Sequence, residues 1–128
     1  MRPLDNGRPV LVVDDNDEVR VGLKALLESA GFPVADVAGG REALRAIRSG
    51  DVCPCLVLLD LMMPFFDGWE VLAELNSDTD LAAIPVIVLS AHPLATLAVN
   101  AGAVAVLAKP TDPEVLIRVV DQHARRAG

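Results

Sequence analysis

The sequence contains no tyrosine, and aromatic residues make up only 3% of it, although 52% of its residues are hydrophobic. A core must therefore be built from alanine, valine, leucine and isoleucine. The longest apolar runs are interrupted well short of the roughly 20 residues that a membrane span requires. No charged-then-apolar leader with a cleavage site follows Met1. These absences predict a folded cytoplasmic protein with no membrane contact.

Positive charge is also scarce, because 11 lysines and arginines face 18 acidic residues and leave a net charge of −7. Binding to nucleic acid needs a basic footprint for the phosphate backbone, so we expect no direct contact with nucleic acid. The only two cysteines are Cys53 and Cys55. Residues this close do not easily form a relaxed disulfide, and two thiols do not complete a zinc site. We interpret both as reduced, structural thiols.

The stretch around which the chain is organised is Leu56–Leu59, which ends on Asp60. Four consecutive aliphatic residues are typical of a strand that is buried on both faces, as in parallel sheets. Pro64 and Gly68 then break the chain into a loop. In open α/β sheets, ligands bind just beyond the carboxyl ends of the strands. Asp60 is therefore the first candidate for a functional residue.

The rest of the chain alternates strand and helix patterns, five of each. The strands are expected at 9–13, 32–38, 56–60, 85–90 and 103–107, and the helices at 17–30, 40–48, 68–75, 94–101 and 113–126. This alternation predicts a doubly wound parallel sheet with helices on both faces. We expect one domain over residues 9–124, between a lead-in at 1–8 and a tail at 125–128.

Polar residues close four of the five predicted strands: Asp14 and Asp15, Asp60, Ser90 and Lys109. A parallel sheet brings these strand ends to one edge. Three carboxylates gathered there repel one another, and a divalent cation would bring them, with the lysine, to neutrality. Mg²⁺ suits such a site because it accepts a few carboxylates and keeps several waters. A pocket of this kind is equipped to receive a phosphoryl group.

A set of short motifs, in order and each at a strand end or in the loop that follows, resembles the receiver domain of two-component response regulators. The motifs are Asp14-Asp15, Asp60-Leu61-Met62-Met63-Pro64, Asp67-Gly68, Ser90-Ala91 and Lys109-Pro110. The resemblance covers about residues 9–124 and implies the flavodoxin-like form of the doubly wound sheet. Each motif alone is weak, whereas the ordered set is specific.

The resemblance implies that Asp60 attacks the phosphohistidine of a sensor histidine kinase or phosphotransfer protein. It implies that Mg²⁺ is bound directly by Asp15, Asp60 and the backbone carbonyl of Met62. Asp14 is expected to act through a water.

The same resemblance gives roles to two further residues. Lys109 is expected to pair with phosphoryl oxygens, and Ser90 to hydrogen-bond the phosphoryl group and carry the signal outward. The protein would then phosphorylate itself and slowly hydrolyse the product. It would be a switch and not an enzyme that turns over.

Two departures from the receiver pattern concern the output of the switch. Val106 stands where receivers usually carry tyrosine or phenylalanine, and the gap between Ser90 and Lys109 is shorter than usual. The short gap predicts a shortened fourth helix.

The departures fall within the uncharged segment, residues 81–108, which contains no aspartate, glutamate, lysine or arginine. Its helix would turn Ala95, Thr96 and Val99 outward without a charge. We therefore expect an apolar contact surface around Ala95, Val99 and Val106, for a homodimer or an output partner.

Two alternatives were weighed against a phospho-accepting receiver. A receiver-like interaction module with phosphorylation-independent output is favoured by Val106 and the short fourth helix, but the intact acids, Ser90 and Lys109 argue against it.

A phosphatase of the haloacid dehalogenase type also uses an aspartyl nucleophile. Such enzymes need an acid two residues after the nucleophile, where this chain has Met62, so we discount that class.

Overall fold

The computed structural model describes residues 7–63, 67–92 and 95–127, with side chains as far as Ala124. The strands are β1 (Val10–Val13), β2 (Val34–Val37), β3 (Leu56–Asp60), β4 (Val86–Ser90) and β5 (Ala105–Ala108). The helices are α1 (Asp17–Ser29), α2 (Gly40–Ser49), α3 (Gly68–Ser77) and α4 (Pro113–Ala127), and a 3₁₀ helix (Ala95–Val99) lies between β4 and β5. Within the described residues, no helix is both long enough and apolar enough to cross a lipid bilayer.

All five strands form one parallel sheet in the order β2-β1-β3-β4-β5. The predicted doubly wound sheet is therefore confirmed. The three central strands are fully buried, as their continuous aliphatic sequences predict. The edge strands β2 and β5 are shorter than expected, with four residues each. The strand order reverses at β1 and β3, the point where ligands bind in sheets of this class.

Alternate residues of each central strand enter different cores. Val57 and Leu59 pack into the core beneath α2, α3 and the 3₁₀ helix. Leu56 and Leu58 pack into the core beneath α1 and α4. This period of two follows from the pleat of the strand. Both cores consist almost wholly of aliphatic side chains, in agreement with the scarcity of aromatic residues.

Side-chain caps mark the N-terminal ends of α1 and α3, the helices that follow β1 and β3. The side chain of Asn16 accepts a hydrogen bond from the Val19 N–H at 2.9 Å. Asp67 and Glu70 form a reciprocal capping box at the start of α3. Each cap satisfies backbone groups that the first turn of its helix leaves free, and so fixes where that helix begins.

The segment after β4 is shorter than an ordinary helix, as predicted, but it is a five-residue 3₁₀ helix and not a two-turn α-helix. With three residues per turn, Ala95 and Ala98 share the inner side and are both buried. The expectation that Ala95 points outward is therefore wrong. The described 3₁₀ residues begin at Ala95, and Pro93 and Leu94 lie outside the described residues.

The exposed apolar surface in this region differs from the predicted one. Val106 is half-buried against the core beneath the 3₁₀ helix, so it does not contribute the open surface expected of it. Leu97 and Val99 are 51% and 52% exposed, and Val104 is also exposed. We call Leu97, Val99 and Val104 the apolar face. Of the residues predicted to form a contact surface, Val99 is the one that belongs to this face.

Candidate functional site

Asp14 follows β1 directly and is buried, with both carboxylate oxygens engaged. Its Oδ1 accepts a hydrogen bond from the Asn16 N–H at 2.9 Å. Its Oδ2 accepts one from the Lys109 ammonium at 3.0 Å. The next residue, Asp15, is exposed. The acid pair therefore presents one carboxylate that is held in place and one that faces the solvent.

Asp60 ends β3 and is only 6% exposed. Because Val13 pairs with Leu59 across the sheet, Asp14 and Asp60 lie at adjacent strand ends. Burial raises the pKa of Asp60; Lys109, 3.4 Å away, opposes this effect, and the charge of Asp14 adds to it. The Met62 N–H also donates to Asp60 Oδ1 at 3.2 Å. Burial, with the charge of Asp14, therefore outweighs the stabilisation that Lys109 and the Met62 N–H give to the ionised carboxylate of Asp60.

Lys109 follows β5, and its Nζ contacts both Asp14 and Asp60. Burial alone would lower the pKa of Lys109, but the hydrogen bond to Asp14 and the charge of Asp60 outweigh it, and the pKa is raised. The lysine therefore remains a cation throughout the physiological range. Its peptide bond to Pro110 is cis. We call Asp14, Asp15, Asp60 and Lys109 the charged edge.

The three carboxylates of the charged edge each offer an oxygen, and these oxygens lie within 4.8 Å of one another. Carboxylate oxygens are the hard ligands that Mg²⁺ and Ca²⁺ prefer. A cation at this position would also offset the repulsion between the charges of Asp14 and Asp60. The residues present therefore fit a divalent cation.

Ser90 ends β4 and is buried at the same edge of the sheet. Its hydroxyl accepts a hydrogen bond from the His92 N–H at 3.0 Å. Its carbonyl accepts one from the Lys109 N–H at 3.2 Å, which ties the ends of β4 and β5 together. Ser90 therefore stands beside the charged edge, at the start of the chain that leads to the 3₁₀ helix.

Gly68 has a role at the site that sequence patterns alone did not show. Its N–H donates to the Leu61 carbonyl at 2.9 Å. A Cβ at this position would lie 2.5 Å from the Asp60 carbonyl oxygen and 2.6 Å from the Leu61 Cα. The start of α3 thus packs directly against the backbone that carries Asp60, and only glycine allows that approach. The sequence singles out Asp67-Gly68 as a break after the strand and as a motif shared with receivers, and neither interpretation predicts the packing of Gly68 against Asp60.

The family model of the response regulator receiver domain matches residues 10–121. The chain belongs to this family. The receiver is 34% identical over 125 residues to the transcriptional regulatory protein GltR of Pseudomonas aeruginosa, covering 95% of this chain and 51% of GltR. It is 34% identical over 120 residues to the DNA-binding response regulator MtrA of Mycobacterium tuberculosis, covering 91% of this chain and 50% of MtrA. The receiver thus spans about half the length of these relatives.

Solved receiver structures have the same fold. The receiver domain of the Francisella response regulator 1452 superposes with a TM-score of 0.86 at 28% identity, covering 94% of this chain and 99% of that one. The chemotaxis protein CheY4 of Vibrio cholerae superposes with a TM-score of 0.80 at 26% identity, covering 90% and 97%. These matches confirm the predicted fold and family, and with them a place in two-component signalling. The phosphorylation-independent alternative gains no support from them.

The structure brings the predicted site residues of this receiver to one edge. Asp14, Asp60 and Lys109 are in direct contact, Asp15 lies within reach of a shared ion, and Ser90 is adjacent through β5. The side chain of Met62 is exposed, and its backbone is tied to Asp60. Pro64, the end of the predicted Asp60–Pro64 motif, lies outside the described residues.

An apolar cleft of about 450 Å³ opens beside Lys109, between α1 and α4. Val19, Leu23 and Leu26 of α1 line one wall, and Leu116 of α4 lines the other. Lys109 of the charged edge and the next residue, Pro110, also line the cleft. A partner that reaches Asp60 from this side meets an apolar surface first.

Proposed function

We propose that Asp60 accepts a phosphoryl group from the phosphohistidine of a sensor histidine kinase or phosphotransfer protein. The observation that carries this proposal is the buried Asp60 carboxylate beside the Lys109 ammonium, with two further acids at the same sheet edge. The family supports it, since receivers are the acceptors of two-component systems.

The transfer follows from the groups present. A carboxylate oxygen of Asp60 attacks phosphorus, the P–N bond of the phosphohistidine breaks, and its electron pair returns to the imidazole. An acyl phosphate forms on Asp60. Lys109 needs to shift little to pair with the phosphoryl oxygens, and the Ser90 hydroxyl donates to them as well. Positioning and charge compensation supply most of the catalysis in reactions of this kind.

We propose Mg²⁺ as the ion that the acids hold. Asp15, Asp60 and the Met62 carbonyl would bind it directly, and Asp14 would bind it through a water. Both oxygens of Asp14 already accept hydrogen bonds, from Asn16 and Lys109, which supports the indirect role. When bound, Mg²⁺ supplies the positive charge that the phosphoryl oxygens need.

The receiver is proposed to act as a switch that hydrolyses its own acyl phosphate slowly, and not as an enzyme that turns over. The phosphodonor is proposed to insert an apolar helix into the cleft between α1 and α4, because that cleft adjoins the site.

We propose that the phosphoryl transfer takes place in the cytoplasm. With its net charge of −7, this chain is proposed to contact no nucleic acid directly.

The apolar face is proposed to bind a second receiver or an output partner. Leu97, Val99 and Val104 are exposed, and residues 81–108 carry no charged side chain. Two acidic chains repel each other least where neither presents a charge. Sedimentation velocity of the phosphorylated protein should show self-association that Val99→Asp abolishes. A phosphorylated protein that stays monomeric would leave the output partner as the occupant.

Incubation with Mg²⁺ and acetyl phosphate, followed by intact-protein mass spectrometry, tests the proposed acceptor. We expect one added phosphoryl mass on the wild type, and none on Asp60→Asn or in the presence of excess EDTA. Val99→Asp is the matched control, because it changes the charge of an exposed residue outside the charged edge, and it should be phosphorylated like the wild type. An equal gain of mass on Asp60→Asn would contradict the assignment.

A further inference from the structure

The Arg20 side chain joins the three elements that surround the acid pair. Its Nη1 donates to the Asp14 carbonyl oxygen at 2.9 Å. Its Nη2 donates to Asp17 in the first turn of α1 at 2.6 Å, and its Nε donates to Asp36 in β2 at 3.0 Å. The side chain is only 15% exposed. One guanidinium thus ties the end of β1 to α1 and β2.

The Asp14 carbonyl belongs to the peptide bond that links Asp14 to Asp15. Holding this oxygen fixes the peptide plane from which the Asp15 side chain projects. Among the described residues, no hydrogen bond restrains the Asp15 carboxylate itself. Its position therefore depends on the backbone, which Arg20 holds at the Asp14–Asp15 peptide and the Asp14 carboxylate holds at the Asn16 N–H.

We propose that Arg20 is a positioning residue for the metal site, which holds the Asp14–Asp15 peptide so that Asp15 faces the ion. The guanidinium is suited to this role because its donors form a planar, rigid fork that can satisfy several acceptors at once. Lysine carries the same charge but presents it at a single point. The inference rests on the proposed function, since it assumes that Mg²⁺ binds at the charged edge.

Charge and geometry predict opposite effects when Arg20 is replaced. A positive charge near the acids opposes the binding of a cation, so the loss of that charge alone should strengthen Mg²⁺ binding. The loss of the hydrogen bond to the Asp14 carbonyl should weaken it, because Asp15 is no longer held in place. A residue that only stabilises the fold should change the melting temperature and leave the affinity unchanged. The sign of the change in affinity therefore separates the three roles.

Isothermal titration calorimetry with Mg²⁺ on the full chain tests the inference, with Arg20→Met, Arg20→Lys and the control Lys24→Met. Lys24 lies one turn further along α1 and pairs with the same Asp36 at 3.6 Å, but within the described residues it does not contact Asp14. We expect both Arg20 variants to bind Mg²⁺ about 10-fold more weakly than the wild type, as for other residues that orient metal ligands. Lys24→Met should bind with unchanged or slightly higher affinity.

Unchanged or tighter binding by Arg20→Lys would overturn the inference, since that variant keeps the charge and loses the fork. Arg20→Lys also decides the matter if Arg20→Met does not fold, and circular dichroism of each variant checks folding. Absence of Mg²⁺ binding by the wild type would overturn the proposed metal site and this inference with it. Normal wild-type binding with unaffected Arg20 variants would overturn the inference alone.

Discussion

The charged edge and the apolar face are built by opposite means: the charged edge takes its residues from the ends of β1, β3 and β5, whereas the apolar face lies between β4 and β5. The charged edge gathers three acids and a lysine from strands far apart in the chain, and hydrogen bonds or ion pairs hold the side chains of Asp14, Asp60 and Lys109. The apolar face lies in residues 81–108, which carry no charge. Ser90 stands where the two regions meet. We therefore expect the proposed chemistry and the proposed output to be separable by mutation, since the first needs particular residue types and the second needs only an exposed surface.

The largest expected effect comes from Gly68→Ala, because its new side chain would clash with the backbone that carries Asp60. The new Cβ would meet the Asp60 carbonyl oxygen and the Leu61 Cα at distances that cannot be relieved by a side-chain rotation. We expect a loss of unfolding free energy near the upper end of the usual 1–3 kcal/mol for overpacking, about 3 kcal/mol, together with weaker Mg²⁺ binding. Chemical denaturation and calorimetry measure the two effects.

The control for Gly68→Ala is Gly22→Ala in α1, where a Cβ would meet nothing within 4 Å. Alanine is the better helix former, so this variant should gain up to about 1 kcal/mol. Equal effects at the two positions would contradict the close approach of α3 to Asp60.

The next largest effect is stabilisation by Mg²⁺, which should act through the charged edge alone. At 100 times its dissociation constant, a ligand that binds only the folded state adds about 2.7 kcal/mol. We expect thermal unfolding to show this increase for the wild type and for Val99→Asp. Asp15→Asn and Asp60→Asn should lose most of it. A Val99→Asp variant that is not stabilised by Mg²⁺ would contradict the claim that the charged edge acts independently of the apolar face.

A smaller effect is expected for Asp60→Asn without metal ions. The pKa of Asp60 is raised above its ordinary value of 3.8, mainly by burial, so the folded state binds the proton more tightly than the unfolded state does. Above the raised pKa, Asp60 is ionised in the folded wild type, and its buried charge lowers the free energy of unfolding. Asp60→Asn has no such charge and should melt a few degrees higher than the wild type. As the pH falls through the raised pKa towards 3.8, this advantage should shrink. Differential scanning calorimetry from neutral to acidic pH in EDTA checks the trend; a constant difference would contradict it.

The smallest effect concerns the attachment of the uncharged segment. The Asn76 side chain, at the end of α3, donates a hydrogen bond to the Ala101 carbonyl. Asn76→Ala should cost about 0.5–1.5 kcal/mol, the usual net value of such a bond, and leave Mg²⁺ affinity unchanged. Faster amide exchange confined to residues 95–104 would support this. A change in Mg²⁺ affinity would show that the segment and the charged edge are coupled even without phosphorylation.

The sequence predicted the sheet, the edge residues and their convergence because these depend on local patterns. A strand buried on both faces has a recognisable composition, and parallel strands end at a common edge. The inward turn of Ala95 was not predictable from helical spacing, because an α-helix period was assumed where the chain forms a 3₁₀ helix. The packing of Gly68 against Asp60 and the hydrogen bonds of Arg20 depend on contacts between different elements of the fold. No pattern within a single sequence contains these contacts.

Hydrogen–deuterium exchange of the phosphorylated and unphosphorylated protein tests the central claim, which is that phosphorylation at the charged edge is transmitted through Ser90 to the uncharged segment. The wild type, Ser90→Ala and Asp60→Asn would be compared in Mg²⁺ and acetyl phosphate, with the extent of phosphorylation checked by mass. We predict altered exchange at residues 91–104 in the phosphorylated wild type, a much smaller change in phosphorylated Ser90→Ala, and none in Asp60→Asn. A fully phosphorylated wild type whose exchange over residues 91–104 is unchanged would contradict the account.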